Sequence, residues 1–248
     1  MLRSIHQEEE RGARFATTHW SVIVAASQPG SDHHDQALAT LCHHYWLPVY
    51  AYIRRRGNRP EDAQDLAQEF FARLLAKQWL AGIEPQGSRF RSFLLTAVSR
   101  FLANEYDRSC TAKRGGGAVP WNLEEAEARC QDAFASLETP ERTYDRRWAV
   151  ILLNRAMGRL RDEADASGKG THFARLNGFL SREAEPGEYD ALGPALNLNS
   201  GAVAVAVHRL RTRYRQILRF EVAQTLSDPD LVDEELRHLL AALQPSTR

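Results

Sequence analysis

The chain has 248 residues, enough for one large domain or two smaller ones, each with its own core. Its 32 basic and 32 acidic side chains leave a formal net charge of +0, which excludes a protein coated in positive charge for indiscriminate nucleic-acid binding. Three cysteines, Cys42, Cys110 and Cys130, form no C-x-x-C pair and are odd in number, which points to a reducing compartment, and no apolar run has the length to span a bilayer.

Residues 1–34 read as an N-terminal extension; its start is polar, without the apolar stretch of a signal peptide, so a cytoplasmic protein is expected. Leu38, Leu41, Tyr45, Val49, Tyr52 and Ile53 recur at three- and four-residue steps, so Asp35 to Arg56 reads as a helix bent at Pro48 and stopped by Gly57. Pro60 opens a second helix, where its fixed φ suits the first turn and where Glu61 and Asp62 meet the positive end of the helix dipole. Ala63, Leu66, Phe70 and Leu74 line its apolar face, leaving Asp62, Asp65, Gln68 and Glu69 on a polar, acidic surface. A third helix, Phe90 to Tyr106, repeats Leu94, Ala97 and Phe101 and leads through Arg108 to the flexible Lys113-Arg114-Gly115-Gly116-Gly117.

Those glycines and the acidic stretch after them, broken by Pro120 and Pro140, read as a linker over 116–144 between a first domain at 35–115 and a second at 145–220. In the second, Trp148, Leu152, Ala156 and Leu160 mark a helix, Ser167 to Gly170 a break, Phe173, Leu176, Phe179 and Leu180 another helix, and Glu185-Pro186-Gly187 another break. A short helix from Tyr189 to Leu196, a turn at Asn197-Leu198-Asn199 and a long helix from Ser200 to Arg219 follow, in the order expected of a helix-turn-helix. Residues 221–248 add a C-terminal acidic helix. With no strand-period run, the expected fold is all-α, two helical domains joined by a flexible linker.

Charge is sorted along this chain. Arg89 to Arg114 carries a net +4, and His208 to Arg219 holds five arginines and no acid; Val119 to Asp145 and Glu221 to Arg237 each carry −5. An acidic amphipathic helix suits a protein partner, and two separate basic stretches suit two contacts on one nucleic acid.

The residues from Glu61 to Leu74 resemble the polymerase-docking helix of region 2 in bacterial RNA polymerase sigma factors of the extracytoplasmic-function type. Phe90-Arg91-Ser92-Phe93-Leu94-Leu95, running on to Arg108, is similar to the part of region 2 that opens and reads the minus-ten element. Leu192 to Arg213 resembles the region 4 helix-turn-helix that reads the minus-thirty-five element. The resemblance implies a non-enzymatic sigma factor whose partners are the beta-prime and beta subunits of core RNA polymerase and promoter DNA, with an anti-sigma or other regulatory protein as a further candidate and no cofactor. The runner-up is a sigma-like DNA-binding regulator that does not engage polymerase.

On that reading Asp62, Asp65, Gln68 and Glu69 dock on polymerase. Arg89, Arg91, Arg100, Arg108, Lys113 and Arg114 neutralise phosphates of the opened strand, Phe93 offers a stacking face in the place where the family usually has tryptophan, and Asn104 pairs with a base edge. Asn199 and Ser200 stand at the N-terminus of the distal helix, where free amides favour a phosphate, with His208, Arg209, Arg211 and Arg213 reaching backbone or bases. Each has a plainer rival: Phe90, Phe93 and Phe101 as core, the carboxylates as a solvated face, and Arg54-Arg55-Arg56 as helix-end electrostatics. The adjacent Cys42, His43 and His44 point in different directions on a helix, which argues against zinc, and no catalytic triad or nucleotide loop has suitable spacing.

Overall fold

The computed structural model describes residues 26, 34–76, 89–109 and 138–244, and every regular element among them is helical. The helices are α1 (His34–Arg55), α2 (Pro60–Ala76), α3 (Phe90–Ser109), α4 (Pro140–Ala166), α5 (Gly170–Leu176), α6 (Glu188–Leu196), α7 (Ser200–Ala223) and α8 (Val232–Leu243). They fall into two compact units, one of Met1–Val150 with Val222–Arg248 and one of Ile151–Glu221.

The first unit is built on aromatic packing. Tyr45 of α1 stacks on Trp148 of α4 at 4.4 Å and meets Phe90 of α3 edge-on at 5.1 Å, while Phe70 of α2 meets Phe101 of α3 at 5.6 Å. Ala63, Ala67, Phe70, Phe71 and Leu74 are the buried face of α2; Leu66, expected there, is half-exposed, because four-residue steps from Ala63 carry the face through Ala67 and Phe71. The arginines at the end of α1 are spent locally: Arg54 donates to the Asn58 carbonyl at 2.6 Å, Arg55 to the Glu138 carbonyl at 2.7 Å, and Arg56 to the Tyr52 hydroxyl at 2.9 Å.

Pro140, read from sequence as an interruption, is the first residue of α4. Thr139 caps the helix by accepting from the Arg142 amide at 3.2 Å, and proline at the first helical position sacrifices an amide that has no partner there anyway. Its first eleven residues, to Val150, belong to the first unit, through Tyr144 and Trp148. The C-terminal helix likewise differs from an appendage. Val232, Leu239 and Ala242 of α8 are buried, and an isolated antiparallel bridge pairs Arg89 with Leu226.

In the second unit, Leu176, Phe179, Leu196, Val203 and Val207 form one cluster, and Ala156, Leu160, Phe173 and Ile217 form another along α4, α5 and α7. The turn between α6 and α7 is fixed by chemistry. Asn197 adopts a left-handed φ of 53°, the Leu198 amide donates to the Gly193 carbonyl at 3.0 Å, and a Cβ at Gly193 would stand 2.6 Å from the Leu198 oxygen. The glycine at 193 is what lets the chain fold back so closely.

Candidate polymerase and nucleic-acid interfaces

On α2, burial of Ala63, Ala67 and Phe70 turns Glu61, Asp62, Asp65 and Glu69 to solvent along one edge, with Gln68 half-buried beside them. Glu69 also accepts from Arg73 at 2.7 Å, one turn on, and Arg73 reaches Glu105 of α3 at 2.6 Å. This bridge fixes the α2 edge against α3. Nothing in the sequence spacing pointed to Glu105, thirty-two residues from its partner.

The basic stretch of α3 divides by helical position. Phe93, Arg100 and Asn104 lie seven and four residues apart, so they share one side of the helix; Arg100 and Asn104 are exposed and Phe93 is half-buried, its ring 5.9 Å from that of Phe90. Tyr106, 71% exposed, lies on the other side of the helix from that strip and was not singled out from sequence. Phe101 is core, as its plainer reading held.

Arg91 is on the opposite side, and the expectation that it meets DNA differs from its placement. Its side chain is 5% exposed and is engaged by Glu235 at 2.8 and 3.1 Å and by Asp145. Burial opposes the guanidinium's charge, but the hydrogen bonds to Glu235 and the charge of Asp145 outweigh it and hold Arg91 above its usual range. His238 stands 2.7 Å from the second Asp145 oxygen, and the Tyr144 hydroxyl donates to the Arg91 carbonyl. Arg89 is partly covered too, 2.6 Å from Glu234 and 3.4 Å from Glu235. Arg108 lies within α3, but nothing is described of its side chain, and Lys113 and Arg114 lie outside the described residues.

In the second unit, α7 presents Gly201, Val205, His208, Arg209, Arg215 and Gln216 to solvent along one side. Asn199 is the N-cap: its side-chain oxygen accepts from the Ala202 amide at 2.8 Å, so it organises the helix start rather than reaching outward, and Ser200 begins the first turn. Arg211 and Arg213 flank the exposed side and are engaged within the unit. Arg211 donates to the Phe179 carbonyl at 2.8 Å, the Arg182 carbonyl at 2.7 Å and the Glu183 carboxylate at 3.0 Å. Arg213 makes a two-pronged contact with Glu163 at 2.8 Å, which lowers the Glu163 carboxyl below its usual range and raises Arg213. Of the four basic residues expected outside, His208 and Arg209 are exposed, without such ties among the described residues.

Residues 41–109 match the family model Sigma-70 region 2. The matched segment begins within α1 and ends with the last residue of α3, so it contains both the acidic edge of α2 and the exposed strip of α3. No curated protein and no solved structure matches the chain. Among the described residues, no three His, Cys, Asp or Glu side chains come together as a metal site, and no helix is long and apolar enough to cross a membrane.

Proposed function

We propose that this chain is a sigma factor of the extracytoplasmic-function type, which binds core RNA polymerase in the cytoplasm and directs promoter recognition, melting and transcription initiation without being an enzyme itself. The observation that carries the reading is the Sigma-70 region 2 match over 41–109. Its support is that the same segment turns Asp62, Asp65 and Glu69 to solvent and lines up Phe93, Arg100 and Asn104 on a neighbouring helix. The acidic edge suits the beta-prime subunit of the polymerase; the strip on α3 suits an unpaired strand, with cations for phosphate, an aromatic for stacking and an amide for a base edge. The α6-turn-α7 unit supplies a helix-turn-helix for the upstream element, with His208 and Arg209 foremost.

Run-off transcription with purified core polymerase tests the whole reading. The charge-reversed pair Asp65→Arg and Glu69→Arg should abolish co-purification with core polymerase while helical circular dichroism is unchanged. Wild-type co-purification by that double variant would remove the docking assignment. A wild-type chain that binds promoter DNA but never core polymerase would favour the sigma-like regulator instead.

A further inference from the structure

The start of α3 carries two arginines whose counterions come from the far end of the chain. Arg89 contacts Glu234 at 2.6 Å and Glu235 at 3.4 Å, and Arg91 contacts Glu235 at 2.8 Å, with Asp145 on its other side. Both glutamates belong to the first turns of α8, which lies against the same unit through Val232, Leu239 and Ala242. Two adjacent carboxylates in the first turn of α8, each within reach of a guanidinium of α3, present what neighbouring backbone phosphates present: fixed anions with oxygen acceptors at hydrogen-bond distance. We propose that α8 holds the place of a nucleic-acid backbone at the start of α3, so that docking of α8 and binding of a single strand along Arg89 and Arg91 exclude each other. This rests on the strand-handling role given to α3 and extends it from the strip of Phe93, Arg100 and Asn104 to the opposite side at the start of the helix, where the acidic C-terminal helix is an internal competitor for the strand.

The two layers of the contact differ in depth. Glu234 is 55% exposed at its side chain and Glu235 only 1%, so Arg89 is the accessible end of the contact and Arg91 its buried anchor. A strand that takes Arg89 first would displace Glu234 before it meets Glu235.

The test uses the full-length chain and a twenty-nucleotide single-stranded DNA. Glu234→Gln with Glu235→Gln keeps side-chain shape and leaves Asp145 as the counterion of Arg91. At 0.1 M salt it should bind the strand at least about fivefold more tightly than wild type, with a log-log salt slope steeper by roughly 1.4, as two added phosphate contacts on a single strand require. Equal affinity and slope for the two proteins, including no binding by either, would overturn the proposal. The single variant Glu234→Gln, at the exposed position, guards against a folding defect: it should retain wild-type helicity and show part of the gain, and no gain there also counts against the competitor. In wild type, saturating strand should speed hydrogen exchange of amides 232–243; protection that persists in the bound complex would make α8 a fixed wall. Core-polymerase co-purification is measured in parallel, and its failure removes the sigma-factor reading while these readouts still decide the competition.

Discussion

Single side chains here are set by what lies around the helix from them. Phe93 shares its side of α3 with Arg100 and Asn104 and is half-buried, a position from which a ring can stack on a base without leaving the fold. Phe93→Ala should remove about 1 to 3 kcal/mol of single-strand stacking, read as weaker permanganate reactivity of the melted promoter. Normal melting at unchanged stability would make Phe93 core. In the second unit the Glu188 carboxyl is held down at about 2, by Arg182 first and the Glu185 amide second. A carboxyl depressed in the folded state contributes stability that is fully present above its unfolded value, about 4.3, and lost as pH falls through the folded one. Unfolding of Glu188→Gln should therefore depend less on pH than wild type as pH falls from 4.5 towards 2. Parallel curves would show that the Arg182 pair contributes nothing.

At the scale of helices, period and punctuation made most elements legible in advance. Pro60 and Gly57 bounded α2 and α1, and Asn197 to Asn199 marked the turn before α7, because fixed or left-handed φ and capping oxygens are local properties. What local rules missed was tertiary. Pro140 reads equally as a breaker and as a first helical residue, and only Thr139 ahead of it separates the two. Arg91 reads as a basic residue among aromatics; its burial depends on a carboxylate 144 residues away. Arg211 reads as one more arginine of α7, yet three acceptors in its own unit engage it. That difference is measurable. Arg209→Ala should flatten the log-log salt dependence of duplex binding by about 0.9, the loss of one phosphate contact. Arg211→Ala should leave the slope unchanged and lower the urea midpoint of the second unit. A slope change from Arg211→Ala with no loss of stability would put that residue on the DNA instead.

Over the whole molecule, neutrality conceals two charge economies. The acids of α2 face solvent, whereas those of α8 are turned onto arginines, so an equal count of charges leaves one acidic helix for a partner and consumes the other. Exposed charge, not total charge, is then what a polymerase or a strand encounters. The charge maps alone separated acidic from basic segments but did not pair them, since pairing is a property of the fold.

The first unit is also discontinuous: its last part, from Val222, is made after all of the second. During synthesis Ile151 to Glu221 can collapse on local contacts while Arg89 and Arg91 wait for glutamates that are made after it. The ribosome thus imposes an order in time: Asp145 is made early enough to meet Arg91 first, and the glutamates of α8 reach Arg89 and Arg91 only after the second unit is made. Until then Arg89 lacks the carboxylates that cover it, and under the proposed competition a newly made chain would take up a polyanion more readily than a finished one.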